Sequence, residues 1–239
     1  MERIVKTLFA ALIGVTTLLD TSSSAEAARI DAVPIQTGPA AGHYYVNVDG
    51  RIEAGDQIAF NRAVGVAGGR PLFVALTSPG GNTFASLTIG RAIHQWQLST
   101  IAFGVCASGC AAIWLAGNFR YVDANARIGF HAAADKRLAK VTSTAGNGMV
   151  GEYYAEIGIR PNSIVWLNSA SPTQMLWLTP AMAAELGIEM VVVNTSRTKL
   201  KTALANRTRK GRLPSDSRVV TSKAMDRLLL RKLTNAPSF

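Results

Sequence analysis

The sequence predicts an α/β fold: a mostly parallel sheet built from β-α-β units, with helices on both faces. Two short apolar runs carry that reading, Leu72 to Leu76 and Ile101 to Val105. An unbroken run of that length suits a strand buried on both sides. Each run stops at a tight turn of small residues, and a helical pattern follows each turn. Two strand–turn–helix units in series imply right-handed crossovers and parallel neighbours.

The elements follow in order. Residues 28–43 are rich in Ala, Pro and Gly and read as a leader into the fold. Tyr44 to Val48 alternates and is β-rich, and Asp49-Gly50 turns the chain. Glu53 to Val66 has helical character and stops at Gly68-Gly69. After Leu76 comes Thr77-Ser78-Pro79-Gly80-Gly81-Asn82, where Asn82 suits the cap of the next helix. Ala85, Ile89, Ala92 and Trp96 then recur at helical spacing. The second apolar run breaks at Cys106-Ala107-Ser108-Gly109-Cys110, and Ala111 to Ala116 continues as an apolar helix. Phe119 to Val122 and Ile128 to His131 read as short strands around a turn at Asp123-Ala124-Asn125. Residues 146–190 read mostly as helix with a loop near Pro172, and Met190 to Val193 as a last strand.

The two ends differ from the middle. Arg3 and Lys6 precede an apolar run of 12 residues, Leu8 to Leu19, and the small-residue stretch Ala25-Glu26-Ala27 follows. That is the three-part pattern of a secretory signal peptide, residues 1–27. A membrane-spanning helix needs about 20 apolar residues, and Asp20 interrupts the run. The expectation is export to the periplasm or outside the cell. The alternative is an anchor through an uncleaved N-terminal segment. From Thr195 to Phe239 there are 12 Lys/Arg and 2 Asp/Glu, while the other 194 residues hold 13 of each. The whole net charge of +10 therefore sits in a basic extension, 195–239, outside a core of 44–194.

Ser108 lies between small residues, after a buried strand and before a helix. Parallel sheets place ligand sites at the carboxyl ends of their strands. A serine at such an elbow is held outward, and the amides beyond it are placed to stabilise an oxyanion. The turn at Gly80 and Gly81 ends the neighbouring strand in the same way, and glycine lets backbone approach a substrate closely. The alternative is two ordinary strand–helix turns with helix caps. His131 is the histidine at a strand end downstream of Ser108, and a serine needs a base within reach. His43, near the start of the core, and His94, on the polar side of a helix, read as structural. Cys106 and Cys110 either form a disulfide, as an oxidising compartment permits, or pack as two buried thiols. No Cys/His cluster has metal-ligand spacing, and no cofactor motif is present.

Three blocks, Ser78-Pro79-Gly80-Gly81, Cys106 to Ala112 and Ile128-Gly129-Phe130-His131, resemble the active-site blocks of the Clp protease proteolytic subunit. The order agrees and the spacings are close. Leu178-Thr179-Pro180 through Ile188 is similar to that family's later helix and Gly turn. The Cys-Ala-Ser-x-Cys turn is closer still to exported proteins of the Clp protease/crotonase-like superfamily. The resemblance covers residues 44–193. It implies Ser108 as nucleophile, His131 as general base, and amides at Gly80, Gly81 and Gly109 around an oxyanion. It also implies a homo-oligomer. The chain departs from the family at the third triad position, where Met175 stands beside Thr173, Gln174 and Leu176, none a carboxylate. Neutral replacements for orienting the histidine are Asn168 and Thr173, and Asp135 is a nearby acid.

The expectation is thus an exported serine hydrolase, peptidase-like, acting on a peptide or acyl substrate with a Ser-His dyad. The alternative is a catalytically inactive binding or scaffold protein on the same fold. A crotonase-type acyl-CoA enzyme shares the oxyanion geometry, but export separates the protein from coenzyme A. In the extension, Arg207 to Pro214 lacks apolar periodicity and reads as a linker. Ala224 to Leu233 has Met225, Leu228, Leu229 and Lys232 at helical spacing. This basic segment reads as a solvated tail without a dedicated partner; the alternative is contact with an anionic surface, whether lipid head groups, an acidic partner or nucleic acid. No aromatic is interleaved with its basic residues before Phe239, so no dedicated nucleic-acid motif is present.

Overall fold

In a computed structural model, the strand–turn–helix units form the centre of one mixed sheet. The structure describes residues 27–194, except 37, 39, 70 and 136–139. The signal-peptide segment and the basic extension lie outside the described residues. The strands are β1 (Arg29–Pro34), β2 (Tyr44–Asp49), β3 (Val74–Ser78), β4 (Thr100–Ala107), β5 (Arg120–Asp123), β6 (Arg127–Phe130), β7 (Leu176–Leu178) and β8 (Val191–Val193). The helices are α1 (Asp56–Val66), α2 (Thr83–Gln95), α3 (Gly109–Leu115), α4 (Thr144–Glu156), α5 (Pro161–Leu167) and α6 (Pro180–Glu185).

The strand order is β1-β2-β3-β4-β5-β8, with β6 paired to β4 and β7 to β6. From β2 to β8 the neighbours run parallel, as does the β4–β6 pair. The pairs β1–β2 and β6–β7 are antiparallel. The sheet is therefore mixed where a mostly parallel one was expected. Both antiparallel strands were missed in the sequence. β1 lies in the segment read as a leader, and pairs along its whole length from Arg29↔Asp49 to Pro34↔Tyr44. Its Ile30 and Ala32 pack on the core, and Pro34 sits at its end, where an edge strand tolerates it. β7 is three residues long, inside a stretch read as helix.

β4 serves two neighbours in turn. Thr100 to Ala102 pairs with β5, and Val105 to Ala107 pairs with β6. Between these halves lies a bulge. Leu76 faces Ala102, but Ser78 faces Cys106, so four residues of β4 span what two span on β3. Gly104, at φ 54°, absorbs the turn in the backbone.

All six described helices bury their apolar sides in one cluster on one face of the sheet, with Val46, Leu76, Ala102 and Val122. None contributes to the smaller cluster on the other face, Ala75, Ile101, Tyr121 and Val193. Helices on both faces were expected. The strand order explains the difference. From β2 to β8 the chain moves across the sheet in one direction, so right-handed crossovers keep every helix on one side. Covering both faces requires a reversal of direction. Trp114 is fully buried in the main core and donates through Nε1 to Tyr121 O at 3.0 Å. Tyr153 donates to Ala112 O at 2.8 Å, which locks α4 onto α3.

Candidate functional site

The site grows from the ends of β3, β4 and β6. At the end of β3, the Ser78 hydroxyl accepts from Gly80 N at 3.0 Å and tightens the turn. Asn82 then caps α2, its side chain accepting from Ala85 N at 2.9 Å. Ile52, just past β2, clamps the same turn from below: Ile52 N donates to Gly80 O at 2.9 Å and Asn82 N to Ile52 O at 2.7 Å.

At the end of β4, Ser108 adopts φ 55° and ψ −122°. Positive φ is rare for a residue with a side chain and costs of order 1–3 kcal/mol. Surroundings on three sides hold it there. Ser108 N donates to Gly129 O of β6 at 2.8 Å, and Ser108 O accepts from Ala112 N at 3.1 Å. Cys106 and Cys110, both fully buried, are joined by a disulfide across the turn, with Cα atoms 5.1 Å apart.

The two turns touch. A side chain on Gly80 would begin 2.8 Å from Ser108 Cβ, 2.7 Å from Gly109 N and 2.6 Å from Ala107 O. One on Gly109 would collide with the Ser86 hydroxyl and begin 3.6 Å from Gly81 N. Only glycine allows this approach. Among the described residues, the amides of Gly81 and Gly109 donate no hydrogen bond. Two unspent N–H groups thus flank Ser108.

Ser108, Gly109 and His131 line one cleft, with Leu87, Phe130 and Val150 on its apolar side. His131 follows β6 directly and enters the cleft beside Ser108, because β6 pairs with the last residues of β4. Its Nδ1 lies 2.7 Å from Ala132 O. A carbonyl only accepts, so Nδ1 carries a proton, and in the neutral ring that leaves the lone pair on Nε2. No hydrogen bond joins Ser108 to His131 among the described residues. Such bonds are often long without substrate and tighten when it binds.

The other sequence candidates sit elsewhere. Met175 packs against β6 on Gly129, where a Cβ would meet its Sδ at 2.7 Å. Thr173 contacts Ser171 at 3.0 Å. Asn168 has a buried Oδ1 without a partner, two residues before Ala170, whose carbonyl accepts from Ala132 N at 2.9 Å. Asp135 N donates to Val141 O. His43 lies at the β1–β2 connection and His94 near the end of α2. The sequence reading missed Thr83, Ser86 and Tyr154 in the cleft wall. The first two follow from the Asn82 cap, which puts the first turn of α2 beside Ser108; Tyr154 has no such signal. Burial pushes the Tyr154 phenol above its ordinary pKa and keeps it protonated. Among the described residues, no helix is long and apolar enough to cross a membrane.

No protein-family model matches the sequence, and no curated protein sequence matches it. Solved structures do match. ClpP1 from Listeria monocytogenes aligns with TM-score 0.51 and 19% identity, covering 64% of this chain and 92% of that one. A single-residue variant of the same protein gives 0.50 and 20%, with the same coverage. A variant of a membrane-bound stomatin-specific protease gives 0.50 and 18%, covering 65% of this chain and 81% of that one. At this identity the likeness speaks for the path of the chain: the protein has the fold of the Clp protease-like superfamily.

Proposed function

We propose that the protein is an exported serine hydrolase that cleaves peptide or other acyl bonds. One observation carries the reading: Ser108 is held at positive φ in a cleft shared with His131, between two unspent amides. Strained backbone of this kind collects at functional sites. The protease fold of the structural neighbours supports the same reaction class.

In the proposed reaction the substrate carbonyl lies over Ser108, its oxygen toward the Gly81 and Gly109 amides. His131 Nε2 takes the Ser108 proton as Oγ attacks, and the oxyanion draws on the two N–H groups. His131 then returns the proton to the leaving group, which departs and leaves an acyl-enzyme. Water, activated by the same imidazole, releases the acid. The Ala132 carbonyl holds the productive tautomer, a task that a carboxylate performs in a full triad. A neutral carbonyl stabilises the imidazolium less, so turnover is expected to be slow. Loss of the acid from a full triad costs about 10⁴-fold. Export rests on the N-terminal pattern, and the Cys106–Cys110 bridge suits an oxidising compartment.

A fluorophosphonate probe tests the reading. It should label the protein at Ser108 and fail on Ser108→Ala. An unlabelled, folded wild-type protein would favour the second reading, an inactive binding protein. Met175 in place of an acid against β6 is the observation on that side.

A further inference from the structure

One face of the sheet carries no described helix. A straight row crosses it, strand by strand: Asn47 beside Ala75, Ala75 beside Ile101, Ile101 beside Tyr121, Tyr121 beside Val191. Tyr45 and Phe73 stack at one end of this face with centroids 5.1 Å apart. Ala75, Ile101, Tyr121 and Val193 are buried there, although no described helix reaches them. Tyr45, Phe73 and Phe103 pack on these residues and stay partly exposed, with Val191 exposed at the far edge, so the outer layer of the face is apolar and accessible, as at docking surfaces.

We propose that this face docks the chain's own C-terminal extension, with the stretch from Ala224 to Leu233 lying across it as a helix. Four features of the molecule select this occupant. The last described strand is β8, and its Val193 belongs to the face cluster, so the extension sets out from the rim of the surface it would cover. The extension contains a helix-like apolar stretch in which Met225, Leu229 and Leu233 fall at i, i+4 and i+8, with Arg227 and Arg231 at the opposite positions. The dimensions agree. Five strands at a spacing near 4.8 Å make a row about 19 Å long, and ten helical residues are about 15 Å long. The charges agree as well: Asp31 and Asp49 flank Arg29 on the β1–β2 edge of this face, a net of one negative charge, and the extension carries 12 Lys/Arg against 2 Asp/Glu. A helix of ten residues does not hold in water unaided. Covalent attachment presents it to the face at millimolar effective concentration, which favours it over a second copy.

The test uses the full chain. Leu229→Asp puts a charge on the apolar stripe, and Arg231→Asp puts one on the opposite side. Leu229→Asp should raise the fluorescence of an apolar-surface dye several-fold, and Arg231→Asp should leave it unchanged. Fluorophosphonate labelling of Ser108 should be the same in both. A photoreactive benzoylphenylalanine at position 229 should cross-link within one chain to peptides containing Phe73, Ile101 or Tyr121. Unchanged dye binding in Leu229→Asp would overturn the proposal. So would cross-links to an isotopically distinct second copy, or cross-links to the face lost whenever phosphatidylglycerol vesicles are absent.

Discussion

Two turns make the site, and they are built in opposite ways. Both end a buried strand and open a helix. The turn after β3 is all backbone: Gly80 and Gly81 at φ 90° and 149°, with only the Ser78 hydroxyl bridging it. The turn after β4 is stapled by a disulfide and forces a side-chain-bearing residue, Ser108, to positive φ. The first surrenders side chains so that another backbone can come close. The second spends covalent and hydrogen bonds to hold one side chain outward. A catalytic site of this design needs an approachable wall and a rigid nucleophile, and neither turn alone supplies both.

Substitutions separate the two roles. Ser108→Ala should have the largest effect, ending fluorophosphonate labelling and lowering any hydrolysis at least ~10³-fold while the fold survives. Retained hydrolysis would place the nucleophile elsewhere. Next comes Gly80→Ala. Its methyl would start 2.6 Å from Ala107 O, so the two turns must part. Labelling should fall at least ~10-fold and stability by about 2–4 kcal/mol in urea unfolding. Gly55→Ala is the comparison, since Gly55 is also at positive φ (99°) but in open space. It should cost only about 1–2 kcal/mol of strain and leave labelling intact. Equal effects from the two glycines would show that conformation, not contact, governs the first turn.

Reduction of Cys106–Cys110 should come third. The bridge closes a short loop, with a sequence separation of 4, and such a loop is worth about 2 kcal/mol. Thermal melting should shift down by about 4–8 °C. Ser78→Ala should be smallest, about 1 kcal/mol, for one hydrogen bond to Gly80 N. A larger loss of labelling from Ser78→Ala than from reduction would invert the assignment of rigidity to the second turn.

The parts of the molecule that were legible in the sequence are those where side chains decide locally. Leu72 to Leu76 and Ile101 to Val105 read as strands because burial selects unbroken apolar runs, and β3 and β4 lie there. Asn82 read as a cap, and it caps α2. The two small-residue turns read as neighbours of one site, and they pack against each other. What stayed hidden depends on partners distant in sequence. β1 has a mixed composition and is a strand because β2 offers it an edge. β7 is too short to show a period. The one-sided helices follow from the direction of strand order, which no single segment records. The contact from His131 to Ala132 O uses a backbone carbonyl, present at every residue, so no residue type announces it.

The bulge in β4 constrains how this protein can vary. Its two extra residues keep Cys106 on the same face as Ala102, because side chains alternate with period two. A deletion of one residue there would turn Cys106 to the opposite face and separate it from the α3 side. A deletion of two would keep Cys106 opposite Ser78 in a regular ladder and remove only the bulge and its turn at Gly104. Odd length changes between Ala102 and Cys106 are therefore closed by parity, whereas loss of two residues would cost the bend and keep the pairing. A homologue with a working serine at this position should keep the parity of the residue count there, whatever the identities.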